Sequence, residues 1–231
     1  MIDRKIPYIK ELITEGEHQQ LDFKFEISDC RKIAKTFVAF ANTDGGKLLV
    51  GVKDNGKIAG VRSEEEYYMV DAAASLYCKP RINFEIQKWN VEGKAVLEVT
   101  IHKSEQLPHF AEVEPNKWLV YIRVHDENIL ANTIHLKVWK KRQRTKGVFL
   151  QFSEKEKQLL KYLETNPSIS MSKFCKVTLI SKKTAEDILA NLITLGLIEM
   201  SYDNQHFTYH LTKEKQKKNP GTITAFGVHV V

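Results

Sequence analysis

The sequence predicts an α+β protein with two domains. In the first part of the chain, short apolar strands alternate with amphipathic helices, whereas from Phe152 onward the apolar residues recur at helical spacing until a final pair of strands. A length of 231 residues suits one medium and one small domain. We expect a first domain over residues 1–139, a basic linker over 140–151, a second domain over 152–212 and a tail over 213–231.

The composition is that of a folded protein that stays in the cytoplasm. Hydrophobic residues make up 42% of the chain and aromatic residues 10%, which supports packed cores and argues against disorder. No apolar run approaches the roughly 20 residues that a membrane-spanning helix needs, and the N-terminus lacks the apolar core of a signal peptide. Cys30, Cys78 and Cys175 are far apart in the sequence, which fits reduced thiols better than disulfides or a zinc site.

A charged strand is predicted near the N-terminus. The run Leu21–Glu26 alternates strictly between apolar and charged residues. A strand over it would bury the leucine and both phenylalanines on one face. We therefore expect Asp22 and Lys24 to lie on the opposite, solvated face.

A turn with two glycines connects the next helix to the next strand. Residues 42–46, Asn-Thr-Asp-Gly-Gly, tolerate positive φ and lead into an apolar run. We expect Asn42, Gly45 and Gly46 to have a structural role in this turn. The alternative is a phosphate cradle of backbone amides, but no Gly-Lys-Ser or Gly-Lys-Thr follows, which argues against an ATP site of the P-loop kind.

The second domain has the element order of a winged helix. Capping patterns and helical spacing predict three helices, and a hairpin around Asp203-Asn204-Gln205 follows them. In winged helices the third helix usually enters the major groove of DNA, although the fold also serves in protein docking. Glu186, Asp187 and Asn191 are expected on the surface of the third helix outside the core. The residues expected to contact nucleic acid around its start are Lys176, Ser181, Lys182, Lys183 and Thr184.

Basic residues are concentrated between the two domains. Residues 137–161 hold nine basic side chains and two acidic ones, in a chain of net charge +6. Such a stretch attracts the phosphate backbone of nucleic acid, and a solvated linker is the alternative. The linker residues expected to contact phosphates are Lys140, Lys141, Arg142 and Arg144.

The first domain resembles a known family. The residues that carry the resemblance are Glu17–Lys24, Ala39–Gly46, with the sequence Ala-Phe-Ala-Asn-Thr-Asp-Gly-Gly, Leu49–Gly60 and Tyr121–Val124. They are similar to the Schlafen AlbA-like domain, which is also described as a DNA-binding domain of bacterial regulators. The resemblance covers roughly residues 10–140. Bacterial members commonly pair this domain with a C-terminal winged helix.

The resemblance also implies a possible catalytic site. Some Schlafen relatives are metal-dependent endoribonucleases that cleave structured RNA with three carboxylates, and these fall on Glu17, Asp22 and Asp54 of this sequence. Mg²⁺ or Mn²⁺ would be the cofactor, and Lys24 would stabilise charge. Asp22 stands where the family usually has a glutamate, which is longer by one methylene. The structural alternative places Glu17 in a loop, Asp22 and Lys24 in a surface ion pair and Asp54 in a turn.

Two functions are therefore open. The first is a DNA-binding transcriptional regulator without a required cofactor, and the second is a metal-dependent endoribonuclease. We favour the regulator because one carboxylate departs from the family pattern and because a DNA-reading module follows the first domain. We expect DNA rather than RNA as the partner, no membrane partner, and a homodimer, since such regulators often read paired half-sites. A small-ligand sensor is a third possibility, and the sequence names no ligand.

Overall fold

The computed structural model describes residues 5–61, 65–143 and 153–212. Internal contacts divide the chain into two units, Met1–Ala131 and Asn132–Val231. The fold is mixed α+β, as the sequence predicts. Among the described residues, no helix combines the length and the apolar character needed to span a membrane.

The first unit contains three helices and nine strands among its described residues. The helices are α1 (Lys5–Glu15), α2 (Cys30–Asn42) and α3 (Glu65–Leu76). The strands are β1 (Leu21–Lys24), β2 (Gly46–Val50), β3 (Cys78–Lys79), β4 (Phe84–Val91), β5 (Lys94–Ile101), β6 (Phe110–Glu114), β7 (Lys117–Leu119), β8 (Tyr121–Val124) and β9 (Glu127–Leu130). They form a sheet of order β1-β2-β5-β4, a smaller sheet of order β3-β6-β7, and the hairpin β8-β9.

Both faces of the larger sheet are covered. β1 and β2 pair in parallel, so that Asp22 lies beside Leu48 and Phe23 beside Leu49. Leu49 and Phe23 pack in a cluster with Ile9 of α1, whereas Leu48 belongs to a larger cluster with α2. Edge strand β1 is consequently buried on both faces. A charged residue of this strand can therefore be shielded from solvent.

The second unit contains the predicted three helices and hairpin, preceded by one further helix. Its elements are α4 (Thr133–Arg142), α5 (Glu154–Thr165), β10 (Ile169–Ser170), α6 (Met171–Thr178), α7 (Lys182–Thr194), β11 (Ile198–Asp203) and β12 (His206–Leu211). The strand order is β10-β12-β11, with β11 and β12 antiparallel. Leu159 of α5, Phe174 of α6 and Leu189 of α7 form the core with Tyr209 of β12. The order of three helices followed by a hairpin that the sequence predicts from Phe152 onward is present in α5, α6, α7 and β11–β12.

Helix α4 joins the second unit, although we expected the first domain to extend to residue 139. Ile134 and Val138 lie four residues apart on α4 and are buried in the core of the second unit. Asn132 caps the helix by accepting hydrogen bonds from the backbone amides of Ile134 and His135. The first part of the expected basic linker is therefore helical, and residues 144–151 lie outside the described residues.

Candidate functional site

Asp22 is buried rather than solvated. Only 4% of its surface is exposed, because its face of β1 lies under α2. Thr36 of α2 donates a hydrogen bond of 3.4 Å to Oδ2 of Asp22. The Lys24 ammonium group lies 3.0 Å from the same oxygen. The expectation of a solvated charged face was therefore wrong for Asp22. The alternative of an ion pair with Lys24 is present, but the carboxylate of this pair is buried and not at the surface.

The principal buried countercharge of Asp22 is Arg123 of β8. Its guanidinium Nη2 lies 3.4 Å from Oδ1 of Asp22, and 2% of the arginine is exposed. Nη2 also donates to the carbonyl oxygen of Leu21 at 3.2 Å, and Nη1 donates to Oδ1 of Asn128 at 3.0 Å. The guanidinium carbon lies 5.2 Å from the centre of the Phe40 ring, within range of a cation–π interaction. A buried carboxylate is stable when it is paired and hydrogen-bonded in this way.

Arg123 was missing from the predicted site. Its strand was part of the family resemblance, but no role for the arginine followed from it. The available signal was its position in a short apolar strand, in which Tyr121, Ile122 and Arg123 are all buried. A charged residue on the buried face of a strand requires a partner.

Glu17 lies beside Asp22. Its Oε1 accepts a hydrogen bond of 2.8 Å from the backbone amide of Phe23. Partial burial is the largest cause that raises the pKa of Glu17, and the neighbouring Asp22 raises it further by hydrogen bonding and by its charge. Two of the three predicted carboxylates are therefore brought together.

Asp54 is placed differently. It is exposed in the turn that follows β2, where the amide of Gly56 donates to the carbonyl oxygen of Lys53. Within residues 5–61, 65–143 and 153–212, no group of three or more His, Cys, Asp and Glu side chains is arranged to hold a metal ion. The predicted metal site of Glu17, Asp22 and Asp54 is thus not assembled in this structure. Asp22 is instead held by Arg123 and Lys24.

The contacts of the diglycine turn are packing contacts. Asn42 donates to the carbonyl oxygens of His109 and Tyr121, at 3.0 and 2.9 Å. Gly45 has φ +72, and a Cβ there would lie 2.8 Å from the carbonyl oxygen of Ile101. A Cβ on Gly46 would lie 2.6 Å from the Phe40 ring. A side chain at either glycine would therefore displace neighbouring atoms.

A shallow cavity of about 340 Å³ lies beside this turn. Two of its lysines already have acidic partners. Lys47 forms an ion pair with buried Glu98, and Lys103 lies 3.5 Å from Asp44. A phosphate would have to compete with these carboxylates for both cations.

The start of α7 carries free positive charge. Ser181 is the N-cap, and its side chain accepts a hydrogen bond from the amide of Thr184. Lys182 and Lys183 follow it and are exposed, as is Lys176 near the end of α6. None of the three lysines forms an ion pair with another described residue. The structure therefore brings the expected basic residues together around the α6–α7 turn.

Helix α4 covers part of α7. Lys137 of α4 lies 3.1 Å from Glu186 and 2.9 Å from Asp187. Ala190, one turn further along α7, is fully buried, and Asn191 is half-buried. We expected Glu186, Asp187 and Asn191 to share an open surface. Instead, Asp187 alone of these three is exposed, so the accessible part of α7 is mainly its first turn.

The remaining basic residues that were expected to contact phosphates lie at the end of α4. Lys140, Lys141 and Arg142 form its last turn, where positive charge also complements the helix dipole. Lys140 and Arg142 are exposed, and Lys141 is half-buried. Arg144 lies outside the described residues.

Solved structures similar to this chain include proteins from three bacteria. The DIP2311 protein from Corynebacterium diphtheriae has 16% identity and a TM-score of 0.45, over 89% of this chain and 38% of its own. The N-terminal domain of a RecG-related protein from Nitrosomonas europaea has 22% identity and a TM-score of 0.36, over 54% of this chain and 94% of its own. BpsR from Bordetella bronchiseptica, whose DNA binding is regulated by 6-hydroxynicotinic acid, has 16% identity and a TM-score of 0.26, over 36% of this chain and 55% of its own.

The chain spans 38% of the length of the first of these proteins. No curated protein matches the chain. Two family models do match it. The model described as PCI domain matches residues 139–211. The model described as Schlafen, AlbA_2 matches residues 17–132, which is half of the sequence. The chain belongs to the Schlafen, AlbA_2 family.

Proposed function

We propose that this protein binds duplex DNA through its second unit and acts as a transcriptional regulator. The observation that carries the proposal is the group of exposed lysines without acidic partners around the α6–α7 turn, namely Lys176, Lys182 and Lys183. Lysines that are not engaged with carboxylates can neutralise phosphates and release their counterions. The family resemblance of the first unit points to the same class of partner.

The position of these lysines on α7 supports DNA as the partner. Lys182 and Lys183 lie at the N-terminus of α7, where backbone amides and the helix dipole also favour phosphate, and Lys176 lies in the last turn of α6. In winged helices this end of the third helix approaches the major groove. Since α4 covers the middle of α7, the first turn would supply most of the contacts. Lys140 and Arg142 would add contacts to phosphate.

The ion pairs of Asp22 favour a protein that binds nucleic acid over one that hydrolyses it. The carboxylate of Asp22 is already paired with the cationic side chains of Arg123 and Lys24. Asp22 would therefore hold the β8–β9 hairpin onto β1 and α2. A homodimer would place two second units on half-sites about one helical turn, roughly 34–36 Å, apart.

The test is a titration of the full chain with a labelled DNA duplex and with an RNA duplex of matching sequence. The B-form major groove admits a helix, whereas the A-form major groove is too narrow, so we expect tighter binding to DNA. Equal or tighter binding to RNA would contradict the assignment to DNA. Absence of binding to both would contradict the proposed function.

A further inference from the structure

Leu179, at the tip of the α6–α7 turn, is the most exposed large apolar residue in the described part of the chain, with 89% of its surface accessible. Its backbone is left-handed, with φ 53 and ψ 43, and its amide donates to the carbonyl oxygen of Cys175 to end α6. Glycine is the usual residue at such a helix end, because a side chain is disfavoured in this conformation. Leu179 thus has a backbone conformation that is unfavourable for leucine, and its apolar side chain is exposed to water.

Other exposed groups surround this leucine in the sequence. Val177, two residues before it, is 42% exposed. Lys176 precedes both, and Lys182 and Lys183 follow at the start of α7. An apolar tip between free cations suits a partner that is negatively charged at its edges and apolar at specific points within. This charge pattern argues against a neutral apolar protein surface.

Duplex DNA has this pattern in its major groove. Phosphates line both edges, and the C5-methyl group of thymine is an apolar group exposed on the floor. The turn that carries Leu179 leads directly into the first turn of α7, which α4 leaves accessible. We propose that Leu179 makes an apolar contact with thymine methyl groups in the major groove. The proposal rests on the proposed function and deepens it, since it assigns a base preference to the same site.

The experiment compares two duplexes that differ only in these methyl groups. One is an alternating A·T duplex, and in the other every thymine is replaced by uracil. The full-length protein should bind the thymine duplex more tightly, by about fourfold for each methyl group that Leu179 covers. The Leu179→Gly variant should bind both duplexes equally. It should also fold, because glycine readily adopts the left-handed conformation.

Two further variants test whether the preference for thymine depends on the apolar side chain at position 179. Leu179→Asn keeps a side chain that tolerates this backbone but removes the apolar surface, so it should also lose the preference. Leu76→Ala removes a leucine of the first unit that is 66% exposed, and it should retain the full preference. Thermal unfolding of each variant verifies that the fold is intact.

Three results would overturn the proposal. The first is equal affinity of the unmodified protein for both duplexes, and the second is a thymine preference that survives in Leu179→Gly. The third is self-association in sedimentation that Leu179→Gly abolishes, which would assign the leucine to a contact between copies. If the unmodified protein bound neither duplex, the proposed function itself would fail, and this outcome is distinct from the other three.

Discussion

The ammonium group of Lys137 lies 2.9 Å from the carboxylate of Asp187, so that an ion pair links α4 to α7. The same ammonium group lies 3.1 Å from Glu186. Beside these ion pairs, Ile134 and Val138 are buried in the core that α7 also lines. Helix α4 is therefore an integral part of the second unit, and it leaves the first turn of α7 as the main accessible surface of that helix.

Helix α4 should contribute to the stability of the second unit. Ile134→Ala removes a side chain that is 1% exposed, and we expect the free energy of unfolding to fall by about 2–4 kcal/mol. Leu136→Ala is the matched control, because this leucine lies on the same helix and is 37% exposed, and it should change the value by less than about 1 kcal/mol. Urea denaturation followed by circular dichroism measures both. Equal effects of the two variants would contradict the placement of α4.

Arg123 should stabilise the first unit through its ion pair with buried Asp22. Arg123→Met leaves a buried carboxylate without its principal countercharge, and we expect a loss of about 3–5 kcal/mol in the free energy of unfolding. Adding Asp22→Asn should recover part of this loss, because the buried negative charge, which then has Lys24 as its remaining ion-pair partner, is absent.

The matched control for Arg123 is Arg81→Met. Arg81 lies 3.3 Å from Asp71, but its side chain is 62% exposed. A surface pair of this kind contributes at most about 1 kcal/mol. Chemical denaturation of the three variants and the unmodified protein measures these losses. A loss at Arg123 no larger than at Arg81 would show that the buried pair does not stabilise the unit.

His135 should make the second unit sensitive to acid. Burial lowers the pKa of His135 to about 4, so the folded protein holds the neutral imidazole at neutral pH. In the unfolded chain the pKa is about 6.5. The stability that this group contributes is thus present above about pH 6.5 and is lost as the pH falls towards 4, by about 3 kcal/mol in all.

His135→Gln isolates this effect. Glutamine at the third helical position can keep the capping box with Asn132 while it removes the titration. The difference in unfolding free energy between the unmodified protein and the variant should therefore shrink or change sign between pH 7 and pH 4, as followed by thermal unfolding at each pH. A difference that stays constant over this range would contradict a neutral, buried His135.

The nuclease alternative has a direct test with metal and chelator. We expect the purified protein to leave tRNA and duplex DNA intact with Mn²⁺, because Asp22 is neutralised by Arg123 and Lys24. Gel analysis of both substrates, with and without chelator, gives the result. Cleavage that requires Mn²⁺ and disappears in Asp54→Ala would instead support the set of Glu17, Asp22, Asp54 and Lys24 as a catalytic site.

Local patterns predicted those features that depend on neighbouring residues. The α+β class and the element order of the second unit follow from strand alternation, helical spacing and caps, and both are confirmed. The burial of Asp22 depends on Arg123, which is 101 residues away, so no short window contains both partners. The alternation in β1 correctly separated its apolar face from its charged face. It did not show that α2 covers the face that carries Asp22.

The position of α4 was missed for a related reason. Ile134 and Val138 have helical spacing, and Asn132 is a suitable cap, so a helix signal was present. The basic residues from Lys140 onward nevertheless favoured a linker. Packing of α4 on α7 is a contact between elements far apart in the sequence, and it also explains why Asn191 is less exposed than helical spacing alone suggests.

The central claim is that the first turn of α7 binds the phosphate backbone of DNA, and the salt dependence of duplex affinity tests it most directly. For the unmodified protein, the logarithm of the binding constant should fall linearly with the logarithm of salt concentration. Lys182→Ala combined with Lys183→Ala should weaken binding and reduce this slope by about 2, since each lysine would neutralise one phosphate. Lys57→Ala combined with Lys88→Ala removes the same charge from exposed positions of the first unit and should leave the slope unchanged. An unchanged slope in the Lys182 and Lys183 variant, or an equal reduction in both double variants, would contradict the account.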